Sequence, residues 1–112
     1  MIYHICRKED WENALKKGFY IPENFEKEGF IHFSKAEQVC NTANLFYKNV
    51  NHLVLLETDD KDDSLVRFEN PPDDPVALFP HYYGILPVGK VLRVIPFPQG
   101  KNGLFDLPEG VA

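Results

Sequence analysis

Glu28-Gly29-Phe30-Ile31-His32-Phe33-Ser34 is the stretch that decides how this chain is read. It predicts a short strand with a polar tip, followed at once by a helical pattern from Lys35 to about Lys48. Strand side chains alternate, so Gly29, Ile31 and Phe33 share one face and Phe30, His32 and Ser34 the other. The first face is apolar. The second carries an imidazole and a hydroxyl beside an aromatic ring, which suits a binding wall as well as a core. Ser34-Lys35-Ala36-Glu37 matches a capping box, with Ser34 accepting from a free backbone N–H and Glu37 reaching back. Such a cap contributes about 1 kcal/mol, and the same N–H groups favour anions, so Ser34 can cap and contact a ligand together. Ala36, Val39, Ala43, Phe46 and Tyr47, with Cys40 beside them, form the stripe expected to be buried.

Upstream of this junction, Ile2 to Cys6 is rich in β-branched and aromatic residues and reads as a first strand, Tyr3 and Ile5 on one face, Ile2, His4 and Cys6 on the other. A helix follows from about Lys8 to Lys17, with Glu9 and Asp10 in its first turn, Lys16 and Lys17 in its last, and Gly18 as its stop. Trp11, Ala14 and Leu15 are its apolar stripe. Phe19 to Phe25, with Pro22 and Asn24, reads as an irregular connection.

Downstream, Leu53-Val54-Leu55-Leu56 within His52 to Thr58 predicts a central strand covered on both faces. Asp59 to Ser64 is an acidic turn, Leu65 to Glu69 a further strand, and Asn70 to Pro75 a proline-rich loop. Phe79 to Gly84 reads as an aromatic loop, Lys90 to Phe97 as the last full strand, and Leu104-Phe105 as a short one. Two early helices followed mostly by strands predict a small α+β domain over residues 1–112, the helices packed on a mixed or antiparallel sheet.

The chain has 112 residues, 44% of them hydrophobic and 26% charged, and a net charge of -5. That balance fits one soluble globular domain and argues against nonspecific nucleic-acid binding, which needs basic surface. Cys6 and Cys40 lack a C-x-x-C spacing, and the N-terminus reaches Arg7-Lys8 without an apolar run of signal length. No segment approaches a membrane span. The expected compartment is the cytoplasm, with reduced thiols.

Three features can carry chemistry: His4 in the first strand, His32 with Ser34 in the second, and His81-Tyr82-Tyr83-Gly84. Each has a plain structural reading too, as a hydrogen-bonded strand histidine, a helix cap, or a turn set by Pro80, Gly84 and Pro87. Against the last, adjacent aromatic rings suit stacking on a base or a nicotinamide ring. His4, Cys6 and His32 invite a metal reading, but no H-E-x-x-H or paired-cysteine motif is present, and no metal is expected. A glycine-rich phosphate loop is absent.

Ile2-Tyr3-His4-Ile5 with Trp11 and Ala14, the stretch from Glu28 to Ser34 with Gln38, and Phe79-Pro80-His81-Tyr82-Tyr83-Gly84 together resemble the bacterial domain-of-unknown-function family numbered nine-fifty-two. The resemblance runs over nearly the whole chain. It implies a fold similar to the ADP-ribosyltransferases, including the RNA 2'-phosphotransferases of tRNA splicing. Tyr3-His4-Ile5-Cys6 then sits where those enzymes carry an aromatic-His-Gly-Thr/Ser motif for the NAD ribose, with Ile5 in place of the glycine. Ile31-His32-Phe33-Ser34 resembles their Val-His-Leu-Ser strand.

What the resemblance implies is a cleft for NAD or an ADP-ribose-like nucleotide, with ADP-ribosyl transfer or NAD hydrolysis as its activity. His4, His32, Ser34, Tyr82 and Tyr83 would bind the cofactor, with His4 and Ser34 on ribose hydroxyls and Tyr82 or Tyr83 beside the nicotinamide. Glu69 and His81 would be catalytic, Glu69 facing the cationic transition state. Of the arginines, Arg7, Arg67 and Arg93, none is placed by a motif. The alternative is a noncatalytic domain that binds a ligand or a protein partner, since fold does not imply function.

Overall fold

The computed structural model describes residues 1–71, 74 and 76–111. The chain runs β1 (Ile2–Arg7), α1 (Lys8–Lys17), β2 (Phe19–Tyr20), α2 (Phe25–Glu28), β3 (Ile31–His32) and α3 (Ala36–Phe46). It continues through β4 (Leu53–Thr58), β5 (Val66–Glu69), β6 (Phe79–Tyr82), β7 (Leu86–Pro87), a 3-10 turn (Val88–Lys90) and β8 (Arg93–Pro96). All sheet pairings are antiparallel. Three small sheets have the orders β1-β4-β8, β2-β7 and β3-β6-β5. This is a small α+β fold, as the order of sequence patterns predicts.

β4 is the central strand expected from its apolar run, buried along its whole length between β1 and β8. Alternation divides the core in two. Ile2, Cys6, Val54 and Leu56 pack with Trp11, Ala14, Ile31 and Phe33 on one face of the sheet; Tyr3, Ile5, Leu53 and Leu55 pack with Val39, Ala43, Phe97 and Phe105 on the other. The facing expected for β1 is therefore observed, with α1 and α3 covering opposite sides.

Several expectations are corrected. Phe19 to Phe25 is not irregular throughout: β2 pairs with β7 and α2 begins at Phe25, so the described residues hold three α-helices rather than two. Both pieces are too short to show a period, and β2 exists through a partner some 65 residues on. The strand of the quoted stretch shrinks to Ile31–His32, because Glu28 ends α2 and Gly29 caps it in the left-handed region at φ 81°. In α3 the cap is displaced by one residue. Lys35 is the N-cap and its N–H donates to Gln38 Oε1 at 2.9 Å, while Ser34 exchanges backbone bonds with Tyr3 at 2.7 and 2.8 Å. Ser34 is thus committed to joining β1 to the β3 strand and does not cap. Phe46 is 74% exposed and Leu15 55%, because each lies beyond the arc that its helix turns to the sheet.

The largest correction concerns Phe79 to Gly84, whose first four residues are β6, the central strand of its sheet. Pro80 argues against a central strand, since it has no N–H. Here the missing donor falls where β3 leaves: Phe33 N–H donates to Pro80 O at 2.9 Å, and the return bond would fall just past the end of the β3 ladder. The last long strand is shorter than predicted, Arg93–Pro96, with the 3-10 turn before it, and the strand expected at Leu104-Phe105 is a single bridge from Phe105 to Gln99. Of the predicted loop over residues 70–75, positions 72, 73 and 75 lie outside the described residues.

Candidate functional site

The β3-β6-β5 sheet gathers most of the singled-out residues on one surface. Register sets His81 opposite His32 on one side and Arg67 on the other, with Glu69 opposite Phe79. Alternation turns Ile31, Phe33 and Tyr82 into the core and leaves Phe30, His32, His81 and Tyr83 on the outer face. Phe30 stacks on His81 with ring centroids 4.0 Å apart at 17°, and lies 5.3 Å from Tyr83. His32 meets Phe30 and His81 edge-on, at 4.8 and 5.3 Å.

Carboxylates order the two imidazoles. Glu69 Oε1 accepts from Tyr83 O–H at 2.5 Å and from His81 Nδ1 at 2.8 Å. Those bonds hold the Glu69 carboxyl below its usual range, and the carboxylate in turn pushes the Tyr83 phenol up. Arg67 lies over the Tyr83 ring, 5.0 Å from its centroid. His32 Nε2 donates to Glu28 Oε2 at 2.5 Å, across the Gly29 cap. The His81 side chain is buried, whereas that of His32 is 57% exposed.

His4 is not part of this surface. It approaches β3 from the core side, its ring 5.5 Å from Phe33 and its Nδ1 2.5 Å from the His32 carbonyl oxygen. A carbonyl only accepts, so Nδ1 carries the proton and Nε2 accepts from Tyr20 O–H at 2.8 Å. Burial pushes the His4 pKa down to about 4, which keeps the ring neutral. Beside it lies a cavity of about 630 Å³, reached by Cys6, Arg7, Asp10, Lys17 and Tyr20. Burial pushes the Cys6 thiol up to about 12.

The single cleft expected from His4, His32, Ser34 and the aromatic segment is therefore divided by β3. His32, His81, Tyr83 and Glu69 come together; His4 lines the separate cavity, which opens to solvent between exposed Arg7, Asp10 and Lys17. Ser34 is buried at the β1 bridge, and Tyr82 faces the core with its hydroxyl accepting from Lys90 at 3.2 Å. Glu28, Tyr20 and Phe30's stacking role escape the sequence reading, because each depends on a turn or pairing without a periodic signal. Among the described residues, no group of three or more His, Cys, Asp or Glu is placed to hold a metal ion. No helix among them is long and apolar enough to cross a membrane.

The model of the family described as "Protein of unknown function (DUF952)" matches residues 5–94. The chain belongs to this family. The DUF952 chain is similar to protein CC0527 from Caulobacter crescentus, a structural-genomics target solved by two methods. Its crystal structure is 29% identical, with a TM-score of 0.84 over 95% of this chain and 93% of that one. Its solution NMR structure is 28% identical, with a TM-score of 0.86 over 99% of this chain and 96% of that one. No curated protein matches the DUF952 chain.

Proposed function

We propose that this DUF952 protein has an ADP-ribosyltransferase-like fold and binds NAD or a related nicotinamide nucleotide at the outer face of β3-β6-β5. The observation that carries the reading is the ionised Glu69 carboxylate held beside the Phe30–His81 stack and the Tyr83 ring. A nicotinamide ring in its oxidised form is flat and positively charged. Aromatic faces with one adjacent carboxylate suit such a ring by stacking and charge together. Arg67, on the same side, supplies a cation for the pyrophosphate. The bridge between Tyr3 and Ser34, which brings the Tyr3-His4 strand against the Ile31–Ser34 strand, supports the fold reading.

An NMR titration with NAD, NADH, ADP-ribose and nicotinamide tests it. NAD should shift Phe30, His32, His81 and Tyr83 resonances and bind more tightly than NADH, whose ring is neutral. Glu69→Gln should remove most of that preference. No shift at millimolar NAD, or equal affinity for both redox forms, would overturn the reading.

The cavity beside His4 favours a second, noncatalytic reading. Its imidazole is neutral with both nitrogens engaged and its thiol is held protonated, so these two groups offer a small ligand contacts rather than a nucleophile or base. Shifts confined to His4, Tyr20 and Asp10 would move the site there.

A further inference from the structure

We infer that β5 is the contact edge of a twofold dimer, in which Phe68 pairs with Phe68 of the partner subunit and two copies share one continuous sheet. The inference is independent of the nucleotide reading. β5 is the edge of the β3-β6-β5 sheet, and among the described residues no further strand pairs with it. Exposed edges invite pairing. The direction of the backbone groups follows from one bond just before the strand: Tyr83 N–H donates to Leu65 O at 2.8 Å. Leu65 and Tyr83 are therefore a hydrogen-bonded pair, and such pairs alternate along an antiparallel ladder. Arg67 and Glu69 accordingly turn their N–H and C=O groups towards His81 and Phe79. Those of Val66 and Phe68 point away from β6. Val66 N–H is taken up by Asp63 O at 3.2 Å, which leaves Phe68 with both groups open.

The side chains along this edge lack partners in the same way. Arg67 and Glu69 stand on the outer face. The Arg67 guanidinium lies over the Tyr83 ring and has no hydrogen-bond partner among the described residues. Glu69 uses Oε1 for both His81 and Tyr83, which leaves Oε2 open. Phe68 stands on the other face with Val66, which reaches the core cluster, but Phe68 itself is 43% exposed. An unmatched cation, an open carboxylate oxygen and an uncovered ring thus adjoin one another on a free edge.

Register decides the occupant. Only the outward-pointing residues can bond across a new antiparallel ladder, so a twofold centre falls at Arg67, Phe68 or Glu69. Centred on Arg67, the two arginines face each other; centred on Glu69, the two glutamates do. Like charges directly opposite are destabilising. Centred on Phe68, the open N–H and C=O groups exchange two bonds, the two rings meet, and each Arg67 faces Glu69 of the partner subunit. The Arg67-Phe68-Glu69 run is self-complementary about its middle residue, which is why a second copy of this chain fits the edge. β5 has four residues and buries little area, so the dimer is weak and concentration-dependent.

Sedimentation of the full-length protein from micromolar to millimolar concentration, with amide hydrogen exchange on the same samples, tests this. Wild type should pass from monomer to dimer as concentration rises. Exchange of the Phe68 amide should slow in step, while the Arg67 and Glu69 amides, already bonded to β6, keep their rates. Arg67→Glu and Glu69→Arg should each weaken self-association by about tenfold or more, because each sets like charges opposite one another. Mixing the two variants should restore dimers, since one then brings two acidic and the other two basic side chains to the same register. The wild-type exchange measurement decides the matter even where a variant fails to fold. A wild type that stays monomeric at millimolar concentration, a Phe68 amide indifferent to concentration, or folded variants that associate no better mixed than apart overturns the inference.

Discussion

His4 shows how much a single side chain can be asked to do away from any ligand. It spans β1, β2 and β3 through the His32 carbonyl and the Tyr20 hydroxyl, and in the neutral ring that burial favours the proton sits on Nδ1 while Nε2 accepts. Its pKa is depressed from 6.5 to about 4 by burial. The unfolded chain therefore binds a proton in that window that the folded chain does not, and stability falls as pH drops from about 6.5 towards 4. A depression of that size corresponds to about 3 kcal/mol, fully present as stability above the unfolded value. Urea unfolding of wild type and His4→Gln across this range should give a pH slope in the first that is largely missing in the second. Parallel curves, or a His4 resonance titrating near 6.5, would contradict this assignment.

At the scale of elements, the junction from α2 to α3 depends on where short pieces stop. Gly29 ends α2 at φ 81°, with open space around the position of a missing Cβ. An alanine there meets no clash, only the left-handed backbone, so Gly29→Ala should destabilise by about 1–2 kcal/mol and Gly29→Asn by less. The change also turns Glu28 relative to His32, so the His32 ring signals should broaden in Gly29→Ala even where the fold persists. An unchanged His32 environment would show that the cap does not set this pair. The same junction marks the limit of what could be read from sequence. α1, with its acidic start, basic end and glycine stop, and β4, with its unbroken apolar run, announce themselves locally. β2, β3 and β6 do not: each is two to four residues long and exists because a distant strand pairs with it. Pro80 argued for a loop on sound local grounds, and only the departure of β3 next to it makes the strand tolerable. For the same reason the sequence could name His32, His81, Tyr83 and Glu69 but could not separate them from His4, because that division depends on which face of β3 each element approaches.

Across the whole molecule, one ion pair on a buried carboxylate ties together what the two cores leave apart. Glu57, on central β4, accepts from Arg93 of β8 at 2.8 and 2.6 Å and from Tyr3 O–H of β1 at 2.9 Å, so all three strands of the sheet meet at one carboxylate. Arg93 also donates to Gly110 O at 2.9 Å, next to the buried Val111, and thereby holds the C-terminal segment against the sheet. The guanidinium keeps the Glu57 carboxyl below its usual range, with the Tyr3 hydroxyl adding to the effect. In wild type this contribution is present above the ordinary glutamate range and is lost as pH falls through the depressed value. Arg93→Met reverses the sign. It leaves Glu57 buried with a single neutral donor, so burial raises its pKa, the folded state holds the proton more firmly than the unfolded one, and stability falls as pH rises through the carboxylate range. The penalty at pH 7 should be clearly smaller than that of breaking a fully buried pair, because Arg93 is half exposed and water replaces part of it. It should shrink on going to pH 4, and Glu57→Gln added to Arg93→Met should recover part of the loss at pH 7. Urea unfolding of the three variants at both pH values measures this directly, and a penalty independent of pH would refute it. Hydrogen exchange gives the whole-molecule readout. The Val111 amide, bonded to Pro108 O at 3.1 Å, should exchange faster in Arg93→Met than the loss of global stability requires, because the strap that holds the tail is gone as well.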